Sequence, residues 1–140
     1  MIRAIDTGDF DAWLKLWQGY LHFYRAEVDG STTEETFRRL TERSDGLFGL
    51  AAEGLSALRT ASSTRPSTLS SAPNCYLEDL FVAPVARGTG AAGELIGAVY
   101  READAVGAAR VYWETLEYNS PARSLYDTLA HRTSFVIYER

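Results

Sequence analysis

The feature that most constrains the fold is a strand that leads through a glycine-bearing turn directly into a long helix, within residues 75–106. Residues 76–82 read as a short buried strand, and the turn at 87–92 has the sequence RGTGAA. The first N–H groups of a helix lack partners within the helix, and the helix dipole places partial positive charge there. Small residues let an anion approach the main chain closely. The stretch therefore predicts an anion-binding site, with Arg87 as an additional charged donor.

The glycine pattern distinguishes among three kinds of phosphate-binding turn. A P-loop would require a Lys after the glycines, and none stands there. Residues 88–93 fit the dinucleotide pattern GxGxxG loosely, and Glu114 and Glu117 follow the next strand, so a nucleotide-binding α/β module stays open as an alternative. The spacing Arg87-x-x-Gly90-x-Ala92 resembles instead the Arg/Gln-x-x-Gly-x-Gly/Ala signature of the GNAT superfamily, the acetyl-CoA-dependent N-acetyltransferases.

This resemblance implies acetyl-CoA as co-substrate and a location for each part of it. The coenzyme A pyrophosphate would lie on the turn formed by Arg87, Gly88, Thr89, Gly90, Ala91 and Ala92. The pantetheine amides would bind the main chain of Leu80, Phe81 and Val82 in the manner of an added strand. A backbone N–H at the same place would polarise the thioester carbonyl as an oxyanion donor.

A second segment, at 119–126, is similar to the Asn-x-x-Ala-x-x-Leu-Tyr element of the same superfamily. Ala122 and Tyr126 stand one helical turn apart, so the small residue leaves room beside the phenol. The resemblance implies that the Tyr126 hydroxyl protonates the departing thiolate, and a phenol with an ordinary pKa of about 10 is suited to donate at neutral pH. It also implies that Asn119 contacts the cofactor. The alternatives are a buried core aromatic and a plain helix cap.

The two acids of the 76–82 strand, Glu78 and Asp79, are candidates for proton transfer. An alkyl ammonium must lose a proton before it can attack a thioester, so a general base has a function here. Strict alternation assigns Glu78 to one face with Leu80 and Val82, and Asp79 to the other face with Leu77 and Phe81. Similar Leu-Glu-Asp-Leu runs in polyamine-type members favour Glu78 as base or amine anchor. Asp79, a water molecule, or simple solvent-facing acids are the other interpretations.

Composition narrows the remaining function classes. A chain of 140 residues with 46% hydrophobic residues predicts one domain, 1–140, and its net charge of −5 argues against nucleic-acid binding. One cysteine, Cys75, and two distant histidines, His22 and His131, argue against a disulfide framework and against a metal site. Without a neighbouring His, Cys75 is a poor nucleophile, which favours direct attack by the amine. The sequence has no membrane span or secretion signal, so we expect a soluble, cytoplasmic protein.

Hydrophobic periodicity predicts the element order β-α-α-β-β-β-α-β-α-β. The strands are expected at 1–5, 47–52, 55–59, 76–82, 109–115 and 135–138. A capping box at 31–34 begins the second helix, and 60–74 reads as a Ser/Thr/Pro-rich loop. This order resembles that of the GNAT fold, and the resemblance implies the fold class α+β, a three-layer α/β/α arrangement with a mixed, mostly antiparallel sheet flanked by four helices. An apolar last strand would leave an open edge, so a homodimer that pairs or exchanges it is expected.

The resemblance thus implies an enzyme that transfers acetyl from acetyl-CoA to a primary amine in a ternary complex. The acceptor is a small amine, a polyamine or a protein lysine or N-terminus, with Tyr20, Phe23 and Tyr24 of the first helix lining its pocket or packing in the core. A non-catalytic acyl-CoA sensor is the main rival. That rival would need the turn at 87–92 but neither Glu78 nor Tyr126.

Overall fold

The computed structural model describes residues 1–65 and 68–140 of the chain, with side chains described for 1–62 and 68–140. Its helices and strands follow the predicted order as far as the last helix. In chain order they are β1 Ile2–Ala4, α1 Phe10–Phe23, α2 Gly30–Glu42, β2 Leu47–Ala52, β3 Ala57–Arg65, β4 Asn74–Val82, α3 Ala91–Ala105, β5 Arg110–Tyr112 and α4 Ser120–Leu129.

The strands form one sheet in the order β1-β2-β3-β4-β5, antiparallel except for the parallel pair β4 and β5. That parallel pair is short, because only Asn74, Cys75 and Tyr76 of β4 lie opposite β5. Along 77–82 the described strands offer β4 a partner on the β3 side only. The sheet therefore opens between β4 and β5, where the backbone groups of β4 stay available for another partner.

Helices cover both faces of the sheet. On one face α3 buries Leu95, Ile96 and Val99 completely, and on the other α1 and α2 bury Trp13 and Leu40. Each large apolar side chain removed from water stabilises the fold by about 1.5–3 kcal/mol. The predicted class, a three-layer α+β fold with a mostly antiparallel sheet and four flanking helices, is confirmed.

A close approach fixes α1 over β4. A Cβ atom at Gly19 would lie 2.6 Å from Cζ of Phe81, well inside van der Waals contact. Glycine at this position therefore lets the Phe81 ring of β4 pack directly against the α1 backbone. This contact carries the aromatic end of α1 to the point where the sheet opens.

The loop predicted at 60–74 is wrong over its first part, because β3 continues to Arg65. Small and β-branched residues such as Ala61 and Thr60 fit a strand that lies between two others and buries both faces. Strand pairing overrode the local composition. The part of the predicted loop at 66–67 lies outside the described residues.

The capping box predicted at 31–34 is also wrong, because α2 begins two residues earlier. Asp29 is the N-cap, and its Oδ1 accepts the N–H of Thr32 at 2.7 Å and the hydroxyl of Ser31 at 2.9 Å. Aspartate is as good an N-cap as serine. Asp29 acts as the cap because it stands three residues before Thr32, whose N–H has no partner within the helix.

The predicted last strand at 135–138 does not form. Phe135, Val136, Ile137 and Tyr138 lie outside the helices and strands and are 67–92% exposed. A strand requires a neighbour to satisfy its backbone, and β5 offers an edge of three residues only. An alternating apolar pattern alone was not sufficient here.

Candidate active site

A cavity of about 650 Å³ occupies the opening between β4 and β5. Five elements contribute side chains or backbone to it: α1, β3, β4, α3 and α4. It is lined by Tyr20, Phe23, Tyr24, Arg59, Leu77, Glu78, Leu80, Phe81, Val82, Ala86, Arg87, Gly88, Gly90, Ala91, Ala92, Gly93, Glu114, Thr115, Asn119, Pro121, Ala122, Leu125 and Tyr126.

The glycine-bearing turn forms one end of this cavity. Gly88 and Gly90 have φ values of 78° and 88°, a region that favours glycine, and Gly90 is the N-cap of α3 without a side-chain hydrogen bond. The N–H groups of the first helical turn are therefore available to a ligand, and Arg87 stands beside them. Thr89 is the exception among the predicted turn residues. It does not line the cavity, because its hydroxyl donates to the Ala86 carbonyl at 2.6 Å.

The free stretch of β4 forms one wall of the cavity. Leu80, Phe81 and Val82 all line it, on the stretch where β4 has β3 as its partner and faces the opening. An extended amide-bearing chain could add to this edge by main-chain hydrogen bonds.

A β-bulge at Glu78 changes the faces that strict alternation predicts. Thr60 pairs with Asp79 but the next residue of β3, Ala61, pairs with Leu77, so Glu78 is the extra residue. Leu77 therefore shares the α3 face with Leu80 and Val82, contrary to the predicted assignment. Glu78, exposed and lining the cavity, has its carboxylate at the wall rather than in either core.

Tyr126 reaches the cavity from α4, which is positioned at its N-terminus by Asn119. The Asn119 side chain accepts the N–H of Ala122 at 3.4 Å, and Pro121 fits the first turn. The Tyr126 ring packs edge-on against Trp113, with centroids 5.3 Å apart and planes at 74°. This contact, worth about 0.5–1.5 kcal/mol, holds the phenol in one orientation. Asn119 thus caps the helix and lines the cavity at once.

The aromatic end of α1 closes the opposite side of the cavity. Tyr20, Phe23 and Tyr24 all line it. Burial raises the pKa of Tyr20, and its interaction with the Asp79 carboxylate raises it further. Burial is also the main cause that raises the pKa of Tyr24, followed by the fields of Tyr126 and Asp79. Both phenols are therefore neutral hydrogen-bond donors at physiological pH.

Arg59 of β3 also lines the cavity, and sequence reasoning missed it. The residue is 3% exposed, and burial is the main cause that lowers the pKa of its guanidinium from the ordinary value. The available signal was a charged residue inside the otherwise apolar run at 57–61, ALRTA. Such a residue in a central strand points to a polar function or a buried pair.

Cys75 lies at the start of β4 and takes no part in lining the cavity. It is completely buried, and burial raises the pKa of its thiol to about 11. An inert thiol of this kind is unsuited to an acyl-enzyme intermediate. Among the described residues no group of three or more His, Cys, Asp or Glu is arranged to hold a metal ion.

One cleft thus brings together a helix N-terminus, an open strand edge, a phenol and a carboxylate. This combination can bind an acylated coenzyme and present its acyl group. The profile of the acetyltransferase (GNAT) family matches residues 10–130. The chain belongs to this family, and it is an acyltransferase. Membership confirms the expectation of acetyl-CoA as co-substrate that the turn at 87–92 raised.

Two curated relatives cover nearly the whole chain. The D-amino-acid N-acetyltransferase HPA3 of Saccharomyces cerevisiae is 33% identical over 100% of this chain and 89% of its own length. The uncharacterized N-acetyltransferase YhfO of Bacillus subtilis is 31% identical over 98% of this chain and 94% of its own.

Solved structures share the fold. A probable acetyltransferase superimposes with a TM-score of 0.87 at 20% identity, covering 100% of this chain and 96% of that one. AAC(6')-Iy in complex with the bisubstrate analogue CoA-S-monomethyl-acetylneamine superimposes with a TM-score of 0.83 at 23% identity, over the same shares of the two chains. Within its described residues, this protein has no helix of the length and apolarity that crossing a membrane requires.

Proposed function

We propose that the protein transfers acetyl from acetyl-CoA to a primary amine by direct attack in a ternary complex. The observation that carries the proposal is the continuity of one cavity. It runs from the free N-terminus of α3, along the open edge of β4, to Tyr126 and the aromatic end of α1. An elongated cofactor and a second substrate can therefore meet inside it.

The residues at one end of the cavity support a defined orientation of acetyl-CoA. Arg87 and the N–H groups of Ala91, Ala92 and Gly93 would hold the pyrophosphate, and the β4 main chain at 80–82 would hold the pantetheine. The acetyl thioester would then lie near Tyr126, at the far end of the cavity.

The proposed reaction combines one nucleophilic attack with three proton transfers. The amine nitrogen forms a bond to the thioester carbonyl carbon, and the carbon–sulfur bond breaks as the tetrahedral intermediate collapses. The Tyr126 hydroxyl donates a proton to the leaving thiolate. Before the attack, Glu78, directly or through a water molecule, takes the proton that the ammonium must lose and passes it to solvent, with Asp79 as the alternative base. The nitrogen loses its second proton from the tetrahedral intermediate, and that proton restores the Tyr126 phenol.

Amino acids are the first acceptor class to test. HPA3 is by name a D-amino-acid N-acetyltransferase, and it aligns with the entire chain at 33% identity. The acids Glu78 and Asp79 beside the cavity favour an ammonium substrate electrostatically. Polyamines and protein amines are the alternative acceptors.

Titration calorimetry and a thiol-release assay test this function. We expect the protein to bind acetyl-CoA and CoA but not NAD, and to release CoA in the presence of an amine. Tyr126→Phe should lower kcat about a hundredfold, as expected for loss of a general acid, without changing the Kd for acetyl-CoA. Tyr118→Phe is the matched control, because Tyr118 is 79% exposed and outside the cavity. Unchanged kcat in Tyr126→Phe would remove Tyr126 from the mechanism.

Self-association is a second part of the proposal. Burial of the exposed apolar side chains at 135–138 would be energetically favourable. The edge of β5 in a second copy would offer hydrogen-bond partners to the backbone of this segment. Light scattering after size-exclusion chromatography should then give the mass of a dimer, and Ile137→Lys should shift it toward the monomer. A monomeric wild type at all concentrations would contradict the dimer.

A further inference from the structure

The Arg59 side chain carries hydrogen-bonding capacity that no described protein group uses. Its Nε and Nη2 atoms are buried, and neither has an acceptor among the described residues. A buried donor without an acceptor destabilises a fold, and more so when the donor is charged. An arginine retained in this state in a central strand therefore indicates a ligand that supplies the acceptors.

The two free atoms define the shape of that ligand group. Nε–H and one Nη2–H lie parallel on the same edge of the planar guanidinium, which is the pair that grips both oxygens of a carboxylate. A lone hydroxyl or amide oxygen would satisfy one of them only. Arg59 is thus prepared for a planar anion with two oxygens.

The position of Arg59 separates it from the pyrophosphate site. It lines the cavity from β3 next to Tyr126, which acts on it electrostatically and through a side-chain hydrogen bond, and the fields of Asp79 and Tyr76 also act on it. Burial raises the pKa of Tyr24, the residue that directly follows α1 at the acceptor side, and the charge of Arg59 acts in the opposite direction, to lower it. The anion it binds therefore lies beside the candidate general acid, whereas Arg87 and the α3 N-terminus serve the other end.

We propose that Arg59 binds the carboxylate of the acceptor, so that the substrate is an amino acid whose amine and carboxylate are held at the same time. The proposal rests on the N-acetyl transfer proposed above and narrows its acceptor class. The cavity offers an opposite charge to each end of an amino acid: Arg59 takes the carboxylate, and Glu78 on the cavity wall faces the ammonium. Polyamines, which carry only positive charge, would be repelled by Arg59.

The test compares each amino acid with its own amide in the wild-type enzyme. Alanine, methionine and phenylalanine are used in both enantiomeric forms, with alaninamide, methioninamide and phenylalaninamide as partners lacking the carboxylate. Rates are expressed per concentration of free amine, since the amides have less basic amines. We expect kcat/KM to be about ten- to a hundredfold higher for acids, the range for a hydrogen bond to a charged group.

Three variants test whether Arg59 causes the preference for amino acids over their amides. Arg59→Met keeps the length but removes the charge and should bring the acid-to-amide ratio close to one. Arg59→Lys keeps the charge without the fork and should give an intermediate ratio. Arg87→Met is the matched control: it should raise the KM for acetyl-CoA and leave the acid-to-amide ratio unchanged.

The outcomes separate this inference from the proposed function. CoA release with a polyamine such as spermidine, but with no acid or amide, would overturn the role of Arg59 and leave N-acetyl transfer standing. No CoA release with the acids, the amides or the polyamine would contradict N-acetyl transfer to small amines and the inference with it. Amides equal to or better than acids, or an acid preference that persists in Arg59→Met, would overturn the role of Arg59 alone. An equal loss of kcat on acids and amides in Arg59→Met would assign Arg59 to the leaving thiolate instead. Should the variants not fold, a crystal structure of the wild type with CoA and the best acceptor decides, by whether the carboxylate lies on Nε and Nη2.

Discussion

The Thr60 hydroxyl joins β3 to Asp79 of β4 by two hydrogen bonds. It donates to Asp79 Oδ2 at 2.7 Å and accepts the Asp79 N–H at 3.2 Å. The pair stands next to the bulge at Glu78, and Thr60 is only 2% exposed. This reciprocal contact therefore sets the register in which β4 continues beyond the bulge, and with it the direction of Leu80 and Val82 toward the cavity.

Thr60→Val should disturb both stability and cofactor binding. Valine has nearly the same shape but can form neither hydrogen bond. The Asp79 carboxylate and the Asp79 N–H would therefore each lose a partner. We expect the free energy of unfolding to fall by about 2 kcal/mol and the KM for acetyl-CoA to rise. Urea unfolding and steady-state kinetics measure the two effects.

The control for this change is Thr41→Val. The Thr41 hydroxyl donates only to carbonyls of its own helix, at Phe37 and Arg38. Its loss should alter the free energy of unfolding by less than about 0.5 kcal/mol. A Thr60→Val protein that matched Thr41→Val in both stability and KM would refute the role given to the Thr60–Asp79 pair.

Most of the helices and turns could be predicted from the sequence because the patterns that indicate them are local. The 3.6-residue apolar pattern of α3 and the turn at 87–92 depend on neighbouring residues, and both are where the pattern indicates. The extent of β3 and the bulge at Glu78 depend on pairing between distant strands. Alternation along β4 carries no sign of an extra residue, so face assignments beyond the bulge could not follow from it.

Gly90→Ala should weaken both the fold and the cofactor site. Gly90 has a φ of 88°, and a Cβ there meets nothing within 4 Å, so conformation rather than space requires glycine. A side chain in this region should lower the free energy of unfolding by about 1 kcal/mol. Relief of the strain would turn the first N–H groups of α3 away from the cavity and raise the Kd for CoA.

Gly30→Ala provides the matched comparison for that prediction. Gly30 begins α2, its φ is not positive, and a Cβ there also meets nothing within 4 Å. Alanine should leave CoA binding unchanged and stabilise the protein by about 0.5 kcal/mol. Thermal unfolding and calorimetric titration of both variants decide the point, and equal behaviour of the two would contradict it.

The candidate site was predictable to the extent that motifs mark it. Residues of two short segments, around Gly90 and Tyr126, come together at one cavity as the resemblance implied. Arg59 belongs to neither motif, and only the completed sheet reveals that its guanidinium is buried beside Tyr126. Burial of a polar group is a property of the assembled fold, so a single sequence carries little sign of it.

Cys75→Ala should retain catalysis. With its pKa raised to about 11, the thiol is about one part in a thousand ionised at pH 8, and it is completely buried. We expect kcat close to that of the wild type, intersecting double-reciprocal plots that indicate a ternary complex, and a loss of about 1 kcal/mol in stability from the small void. Parallel plots, or a large fall in kcat, would instead indicate an acyl-cysteine intermediate.

The Arg3–Asp9 ion pair should make the stability of the N-terminal segment depend on pH. Arg3 Nη1 and Nη2 donate to the two Asp9 oxygens at 2.7 and 2.9 Å, and the Asp6 N–H donates to Oδ2 at 2.9 Å. The hydrogen bonds from Arg3 are the main cause that holds the pKa of Asp9 below its ordinary value. Because the folded-state pKa is lower than the unfolded value of about 3.9, the stabilisation is complete above that pH. It is lost as the pH falls through the folded-state pKa.

Asp9→Asn tests this dependence. We expect it to lower the free energy of unfolding by about 1 kcal/mol at pH 7, a modest loss because the Arg3 side chain is 46% exposed. The difference between variant and wild type should shrink toward zero as the pH falls below the folded-state pKa, since the wild-type carboxyl is then protonated as well. Urea unfolding at neutral and acidic pH measures it, with Glu34→Gln on the exposed face of α2 as a control for the general loss of one negative charge. A difference of the same size at both pH values would show that the Asp9 contribution is packing rather than charge.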